Sequence, residues 1–286
     1  MDGVINFLKP AGMTSHDAVA LVRRATGIKR VGHSGTLDPL AAGVLPIFVG
    51  RATRLIEYMP GEPKTYIAEW LVGIATDTED TSGTVRRSAR PPALRTEDWG
   101  AAAQAYIGTI RQRPSAYSAI KVGGRKAYEL ARNEQEVTLP EREVRIERIE
   151  AIAWEPPYLR ATVTCSAGTY IRALGRDWAE ALGTDAAMSF LLRSQVGPYW
   201  TTTNALTPEE ITADPAGACR PITTVLGHMP RVEIDAATAH AFTQGKRVRA
   251  PRTASPAAVW VGETFLGIAK YDEETKEWQP HKVWTT

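Results

Sequence analysis

The sequence predicts an α+β fold with a mixed, mostly antiparallel central sheet, flanking helices and a small C-terminal β-rich segment. Strand and helix patterns both occur in the first 226 residues, and two long strand patterns stand close enough in sequence to pair. From residue 231 onward the residue pattern changes, and it predicts short strands and turns with little helical periodicity. Residues 207–230 hold prolines and glycines, which predicts a linker with a helical turn between the two parts.

The N-terminal stretch VINFLKPAGMTSHDAVALVRRATG, residues 4–27, predicts a short strand, a Lys-Pro turn and then a helix. Ser15 is the predicted N-cap of that helix, and Gly27 is the residue predicted to end it. A buried strand is predicted over residues 44–49, and RATRLIEYM directly after it predicts a further short helix.

Residues 64–73, KTYIAEWLVG, alternate in hydrophobicity, which predicts a strand with one buried face. The side chains predicted to share that face are Tyr66, Ala68, Trp70 and Val72. A polar turn follows at residues 75–85, and a helix is then predicted to begin at about Thr96, the expected N-cap.

Two further strands, residues 143–154 and 158–168, are predicted to pair with each other. The predicted inner face of the second strand consists of Leu159, Ala161, Val163 and Cys165. The next segment, TYIRALGRDWAEALG, has apolar residues at helical spacing and is predicted to end at Gly183. Tyr170 and Arg172 therefore lie at a strand-to-helix junction, where functional sites are often built.

Composition argues against several classes of protein. The chain has 286 residues and 43% hydrophobic content, yet no apolar run reaches transmembrane length and the start lacks the order of a signal peptide. Two cysteines, Cys165 and Cys219, are too few for a disulfide framework and are expected to be free thiols in the cytoplasm. The five scattered histidines give no metal-ligand spacing, so no metal is expected.

Positive charge is concentrated in one segment, although the net charge of the chain is only +2. Residues 111–132 hold six basic residues and one acid, a local charge of +5, with Tyr117 and Tyr128 among them. Gly123 and Gly124 predict a hairpin tip. A charge run is usually a solvated face, but the one-sided sign, the tyrosines and the glycine tip favour contact with RNA phosphates.

The stretch RVGHSGTLDPLAAGVLPIFVG, residues 30–50, places one carboxylate, Asp38, in a glycine-rich loop before a buried strand. A serine hydrolase is disfavoured, because Thr36 stands where the nucleophile elbow needs glycine and Pro39 interferes with the helix that must follow. A purely structural interpretation has the carboxylate capping backbone N–H groups of the turn.

A third interpretation makes Asp38 a nucleophile that attacks an electrophilic carbon of a sugar or a base. The glycines would let a flat substrate approach the backbone, and Pro39 would hold Asp38 in an extended conformation. Such a site needs a cation beside the carboxylate, for which Arg172 is a candidate. It also needs a platform for a flat ring, for which Tyr66 or Tyr170 is a candidate.

Five motifs, all in family order, make the sequence resemble the TruB family of tRNA pseudouridine synthases. They are LKPAGMTSHDAV (residues 8–19), RVGHSGTLDPLAAGVLPI (30–47), KTYIAEWLVGIATDTEDTSG (64–83), RPSAYSAIKVGGRKAYELAR (113–132) and CSAGTYIRALGRDWAEALG (165–183). The resemblance covers nearly the whole region up to Val196. One departure is Leu8, where family members often carry aspartate before Lys-Pro, and this departure does not touch the catalytic loop.

The resemblance implies a pseudouridine synthase catalytic fold and isomerisation of one uridine in the T loop of tRNA, position 55, without cofactor or metal. Asp38 falls on the family's catalytic aspartate, and Tyr170 and Arg172 fall on its GTYIR pair. Tyr66 falls on the tyrosine that stacks on the base. The substrate-binding residues expected in all are His33, Tyr66, Leu191, Lys9, Lys121, Arg125 and Lys126.

The resemblance also sets the expected domain organisation. Residues 1–226 are expected to form the catalytic domain, with an RNA-clamping insertion at about 111–138. Residues 231–286 are expected to form a small PUA-like RNA-binding domain. The protein is expected to act on tRNA as a monomer, away from membranes.

Two alternative functions remain open at this point, together with simpler roles for single residues. The first alternative is a guide-RNA-dependent pseudouridine synthase core, although the long basic extensions expected of the larger eukaryotic members are absent. The second is a non-catalytic tRNA-binding or RNA-chaperone module, against which the presence of Asp38 argues. Arg172 could instead pair with Asp177 or Glu180 of its own helix, and Tyr66 could be an ordinary strand aromatic.

Overall fold

The computed structural model describes residues 1–115, 117, 121–122, 125–127 and 139–284. Its strands, in chain order, are β1 (Gly3–Lys9), β2 (Val31–His33), β3 (Ala42–Val49), β4 (Lys64–Val72), β5 (Ile74–Thr76), β6 (Val85–Ser88), β7 (Gly108–Gln112), β8 (Lys121–Val122), β9 (Arg125–Lys126), β10 (Arg142–Glu155), β11 (Tyr158–Cys165), β12 (Ala186–Val196), β13 (Trp200–Thr201), β14 (Arg231–Glu233), β15 (Ala257–Val261), β16 (Thr264–Asp272) and β17 (Glu277–Val283). Its α-helices are α1 (Ser15–Thr26), α2 (Thr96–Ala103), α3 (Ile171–Glu180), α4 (Pro208–Ala213), α5 (Pro215–Ala218) and α6 (Ala236–Thr243). Short 3₁₀ helices span Gly50–Tyr58, Gln104–Tyr106, Thr202–Asn204 and Ile222–Val225.

Nine of these strands form the central sheet, in the order β1-β3-β12-β4-β11-β10-β7, with β2 added to β3 and β13 added to β12. The pairing of β12 with β3 is parallel, and the other described pairings of this sheet are antiparallel. The predicted class, α+β with a mixed and mostly antiparallel sheet, is therefore confirmed.

β4 lies in the middle of the sheet, between β11 and β12, and follows the predicted alternation. The buried side chains of its inner face are Tyr66, Ala68, Trp70 and Val72. On the opposite face Ile67 is 42% exposed. Val163 of β11 pairs with Tyr66, and Leu159 pairs with Trp70, so the inner faces predicted for the two strands coincide.

Helix α3 packs closely on the buried face of β4 because Trp70 and Gly175 fit each other. A Cβ atom at position 175 would lie 2.0 Å from Trp70 Nε1, so only glycine permits this approach. The Trp70 Nε1–H donates to the Ile171 carbonyl at 3.3 Å, and the Trp70 ring meets Trp178 edge-on at 5.9 Å between centroids. This packing fixes the N-terminal end of α3, where the predicted junction residues lie.

Two predicted helix starts are displaced by one residue. Thr14, not Ser15, is the N-cap of α1, because Thr14 and Asp17 form a capping box. The Asp17 N–H donates to Thr14 Oγ1 at 3.0 Å, and the Thr14 N–H donates to the Asp17 carboxylate at 3.0 Å. The same displacement occurs at α2, whose N-cap is Arg95 rather than the predicted threonine.

The ends of the predicted elements are partly as expected. Gly27 ends α1 in the left-handed conformation, with φ of 69°. α3 ends at Glu180, earlier than predicted, and a turn leads from there to Gly183. The predicted linker at 207–230 contains α4, α5 and a 3₁₀ helix, and Ile211 is buried in the main core. This segment is therefore packed against the rest of the chain, not a free linker.

The four strands β14 to β17 form a second sheet, which confirms the predicted β-rich C-terminal segment. A shared apolar cluster joins the two sheets: Phe48 of β3 and Leu55 of the neighbouring 3₁₀ helix pack with Phe265 and Ile268 of β16. The segment RATRLIEYM, predicted as a short helix, lies in that 3₁₀ helix up to Tyr58, and Met59 is its C-cap. Within the described ranges, no helix is both long enough and apolar enough to cross a membrane.

Candidate active site

A cleft opens where the loop between β2 and β3, the beginning of β4 and the beginning of α3 meet. The residues that line it are Gly35, Thr36, Leu37, Asp38, Lys64, Tyr66, Gly168, Thr169, Tyr170, Ile171, Arg172 and Leu191. All three residues predicted to be catalytic are among them, together with the predicted substrate contacts Tyr66 and Leu191. The fold thus brings residues from distant parts of the chain into one cleft.

The loop that carries Asp38 is held by hydrogen bonds on both sides of the carboxylate. Ser15, buried at the start of α1, donates its hydroxyl to the Leu37 carbonyl at 3.0 Å and accepts from the Leu37 N–H at 2.9 Å. Beyond the carboxylate, the Gly12 N–H donates to the Pro39 carbonyl at 2.7 Å. The first helix and the turn before it therefore fix the geometry of this loop.

Asp38 and Arg172 form an ion pair in the cleft, with 2.8 Å between Asp38 Oδ2 and Arg172 Nη2. The Arg172 side chain is 6% exposed and that of Asp38 is 40% exposed, so the guanidinium lies in the wall and the carboxylate faces the opening. The predicted pairing of these two residues is confirmed. Asp177, an alternative partner, pairs instead with Arg176.

Arg172 is held by further groups that the sequence analysis missed. Its Nη1 donates to the Thr78 carbonyl at 2.8 Å, and its Nη2 donates to the Tyr117 carbonyl at 2.9 Å. The buried carboxylate of Asp80 lies 3.7 Å from Nη1. Asp80 in turn accepts from the Thr78 hydroxyl at 2.8 Å and from the Ser82 N–H at 3.0 Å. The polar turn after β5 therefore supports the guanidinium that contacts Asp38.

Arg193 of β12 is a second arginine at this site, and it is completely buried. Its guanidinium donates to the carbonyl of Val44 at 2.8 Å and to the carbonyl of Gly35 at 2.9 Å. It also lies beside the phenol of Tyr66, and burial lowers the pKa of Arg193 from its ordinary value. Arg193 therefore ties the loop of Asp38 to β3. This position of Arg193 was not predicted, since nothing local in FLLRS distinguishes it from a surface arginine.

Tyr66 and Leu191 supply flat and apolar surface inside the cleft. They belong to adjacent strands of the sheet, β4 and β12, and are 7% and 6% exposed. Burial raises the pKa of the Tyr66 phenol, so this side chain is neutral at physiological pH. The pair forms a surface against which a planar ring can pack.

Tyr170 is the N-cap residue of α3, and a buried glutamine fixes its main chain. The Tyr170 N–H donates to Gln112 Oε1 at 2.8 Å, and the Tyr170 carbonyl accepts from Gln112 Nε2 at 3.0 Å. The guanidinium carbon of Arg142 lies over the Tyr170 ring, 5.6 Å from its centroid. Gln112, only 1% exposed, is another residue that the sequence analysis missed.

Two predicted substrate contacts lie outside the lining of the cleft. His33 ends β2, and burial together with the nearby Arg193 lowers its pKa. Lys9 is completely buried, and its Nζ donates to the carbonyls of Pro10 at 2.9 Å and Met13 at 2.6 Å. Burial lowers the pKa of Lys9 to about 8. These hydrogen bonds give Lys9 a structural part in the Lys-Pro turn, and its contact with substrate stays a prediction.

The predicted RNA clamp falls largely outside the described residues. The backbones of β8 and β9 pair antiparallel, with Lys121 opposite Lys126 and Val122 opposite Arg125, in agreement with the predicted hairpin. The predicted tip at 123–124, Tyr128 and the side chains of the three predicted clamp contacts lie outside the part of the chain that the structure describes.

Comparison with known sequences assigns residues 23–171 to a family model described as TruB family pseudouridylate synthase (N terminal domain). The chain is 50% identical to tRNA pseudouridine synthase B of Moorella thermoacetica, over 73% of this chain and 70% of that one. It is 46% identical to the protein of the same name from Symbiobacterium thermophilum, over 86% and 82% of the two chains. The corresponding protein of Heliobacterium modesticaldum is 38% identical over 100% of this chain and 96% of its own.

Comparison with solved structures gives the same fold. A chain of a Cbf5–Nop10–Gar1 complex matches 99% of this chain and 85% of its own length, with a TM-score of 0.74 and 25% identity. A chain of an H/ACA ribonucleoprotein bound to a substrate RNA matches over the same shares, with a TM-score of 0.72 and 23% identity. These matches extend over the C-terminal sheet as well as the central one.

Proposed function

The chain belongs to the TruB family of pseudouridylate synthases, and on this premise we propose that it isomerises uridine to pseudouridine in tRNA, at position 55 of the T loop. The observation that carries the proposal is the ion pair of Asp38 and Arg172, set in a cleft with Tyr66, Tyr170 and Leu191. Relatives named tRNA pseudouridine synthase B are 46–50% identical to the chain, whereas the matching chains of the Cbf5–Nop10–Gar1 complex and the H/ACA ribonucleoprotein are 25% and 23% identical. The guide-dependent alternative is accordingly not favoured.

The reaction is an isomerisation, in which bonds are rearranged within one nucleotide and no group is transferred to another molecule. The bond between N1 of uracil and C1′ of ribose breaks and a bond between C5 and C1′ forms, while C5 loses a proton and N1 gains one, so that substrate and product have the same composition. Asp38 is the nucleophile of the proposal, since its carboxylate faces the opening and can reach a bound nucleotide. Arg172 fixes the direction of that carboxylate and supplies its counter-charge.

A uridine in a folded RNA loop must leave its stack before it can enter such a cleft, at a cost of a few kcal/mol. Tyr66 and Leu191 offer the flat apolar surface that compensates part of this cost, because stacking of a base on an aromatic ring is worth ~1–3 kcal/mol. Tyr170, on the cleft wall at the start of α3, is positioned to take part in removal of the C5 proton.

The basic segment at residues 111–132 is the proposed clamp on the T stem-loop. It is coupled to the cleft, because the carbonyl of Tyr117 accepts a hydrogen bond from Arg172. Replacing Lys121, Arg125 and Lys126 by glutamate should weaken tRNA affinity and flatten its dependence on salt, since fewer counterions are released on binding. An unchanged salt slope in this triple variant would reject the clamp.

The direct test of the proposed function is release of tritium from C5-labelled uridine in an unmodified tRNA transcript. We expect release of the label from one position per tRNA, without added metal, cofactor or guide RNA, and no release when uridine 55 is replaced by cytidine. Binding of tRNA without release would favour the non-catalytic alternative. Release only after addition of a guide RNA and its partner proteins would favour the guide-dependent alternative.

A further inference from the structure

One cation in the cleft wall takes no part in the chemistry described so far. Lys64 is the first residue of β4 and lines the cleft together with Asp38 and Tyr66. Its ammonium makes no hydrogen bond or ion pair with any residue that the structure describes. Burial and the neighbouring Arg193 lower its pKa, and Cys165 and Glu62 oppose that shift only in part.

Lys64 and Arg193 converge on the same side of Gly35. A Cβ atom at position 35 would lie 3.2 Å from Lys64 Nζ and 3.4 Å from Arg193 Nη1. Two cationic groups therefore lie beside a stretch of loop backbone that has no side chain of its own. The described hydrogen-bond partners of Arg193 are main-chain carbonyls and the neutral phenol of Tyr66, and none of them carries a negative charge.

The charges that line the cleft do not balance. Its one carboxylate among the lining residues, Asp38, is already engaged by Arg172 at 2.8 Å. Lys64 is the cation of the lining that forms no ion pair with a described carboxylate, although Glu62 lies near enough to offset part of the lowering of its pKa. A partly buried ammonium of this kind is stabilised when an anion with its own hydrogen-bond acceptors enters the site.

We propose that Lys64 binds a phosphate group of the RNA backbone, directly beside the nucleotide whose base enters the cleft. The assignment rests on the proposed function, since it requires an extruded nucleotide. It makes Lys64 a substrate-binding residue that holds the backbone while Tyr66 holds the base.

The position of Lys64 along β4 favours a phosphate over the base itself. Lys64 and Tyr66 are two residues apart, so their side chains leave the same face of the strand about 7 Å from each other. Tyr66 lies in the interior, whereas Lys64 begins the strand and is more exposed. If the base packs at the level of Tyr66, the part of the nucleotide at the level of Lys64 is its sugar-phosphate backbone.

The test uses the full-length protein and an isolated T stem-loop RNA. Lys64→Met should bind this RNA about tenfold more weakly than the wild type, because a charge-assisted contact is lost. The slope of log affinity against log salt should fall by roughly 0.7, the value for one phosphate of a single-stranded segment. The rate of pseudouridine formation in a single turnover at saturating RNA should change by less than about threefold.

Two further variants make these results specific. Lys64→Arg keeps the charge and should retain most of the affinity and the salt slope. Lys270→Met removes an exposed lysine of β16, far in sequence from the cleft, and should leave binding of the stem-loop unchanged. If Lys64→Met proves insoluble, Lys64→Gln preserves the length and polarity of the side chain for the same measurements.

A scan of single methylphosphonate linkages through the loop then identifies the phosphate. In the wild type one neutral linkage should weaken binding, and Lys64→Met should be insensitive at that linkage alone. The proposal is overturned if wild type and Lys64→Met respond alike at every linkage. It is also overturned if Lys64→Met binds the RNA normally but forms pseudouridine slowly. The lysine would then act on the uracil during the reaction and not on a backbone phosphate. Failure of the wild type to form pseudouridine would instead overturn the proposed function.

Discussion

Arginines in the cleft and arginines on the C-terminal sheet differ in burial and in partners. The side chain of Arg172 is 6% exposed and Arg193 is completely buried, and both donate to several main-chain carbonyls. In the C-terminal segment, the side chains of Arg231, Arg249 and Arg252 are 46%, 86% and 63% exposed, and each pairs with a glutamate of its own region.

The difference shows which charges determine geometry. A buried guanidinium is tolerated only when its donors are satisfied, so its neighbours must hold fixed positions around it. An exposed ion pair contributes about 0–1 kcal/mol and is screened by salt. Arg172 and Arg193 therefore define the cleft, whereas the surface pairs leave the C-terminal sheet nearly as stable without them.

The same comparison bears on the predicted role of the C-terminal segment in RNA binding. Lys246, Arg247, Arg249 and Arg252 are close in sequence, and this basic cluster predicts contact with tRNA away from the T loop. In the structure Arg247 pairs with Asp272 at 3.1 Å, and Arg249 pairs with Glu277 at 3.1 Å. Acids of the same sheet thus offset much of this positive charge, and contact with tRNA outside the T loop stays a prediction.

The largest effect is expected from Asp38→Asn, which keeps the size of the side chain but removes the nucleophile. Pseudouridine formation should fall at least about a thousandfold while tRNA affinity stays within a few-fold of the wild type. Tritium release and filter binding measure the two quantities. Asp185→Asn, which breaks the surface pair with Arg87, is the matched control and should remain active. Turnover by Asp38→Asn, with wild-type contamination excluded, would contradict a mechanism in which Asp38 is the nucleophile.

Arg172→Met tests the buried half of the comparison. It removes the partner of Asp38 and leaves the buried Asp80 without its neighbouring cation, so unfolding free energy should fall by about 3–5 kcal/mol. Activity should fall at least about a hundredfold, because the carboxylate loses its fixed direction. Urea denaturation and single-turnover assays check the two effects. Wild-type stability in this variant would show that the buried pair does not hold the cleft together.

A chain stopped near Leu226 tests what the C-terminal sheet contributes. Removal of the sheet exposes Phe48 and Leu55, so the unfolding free energy should fall by about 3 kcal/mol or more. If the segment also binds RNA, the truncated chain should modify an isolated T stem-loop normally and lose affinity for full-length tRNA. Equal affinity of truncated and intact chains for both RNAs would leave the sheet only its packing role.

The smallest effect is expected from Arg249→Gln, which removes one exposed ion pair of the C-terminal sheet. The unfolding free energy should change by less than about 1 kcal/mol, and less still at high salt. Urea denaturation of Arg249→Gln and of Arg172→Met, each at low and high salt, compares the two losses of unfolding free energy directly. A loss as large as that of Arg172→Met would contradict the distinction between buried and exposed arginines.

The local sequence pattern predicted many of the secondary-structure elements correctly. Alternation in KTYIAEWLVG gave the buried face of β4, and glycine gave the end of α1 at Gly27, because both signals act within a few residues. The family motifs placed Asp38, Tyr66 and Arg172 at one site, and the cleft contains all three. The N-cap of α1 was misassigned to Ser15, since two hydroxyl residues stood side by side and only one had Asp17 at capping-box spacing.

Tertiary structure decided the partners of the charged and polar groups. Asp80, Gln112, Arg193 and Lys64 reach the cleft through contacts between residues far apart in sequence, such as the hydrogen bond from Arg193 to Gly35 across 158 positions. Hydrophobic periodicity reports which face of a strand is buried, but not which distant backbone carbonyl a buried guanidinium will meet. The sequence by itself therefore indicated most of the elements and the candidate nucleophile, and packing alone decided which charges hold the cleft and which neutralise each other on the surface.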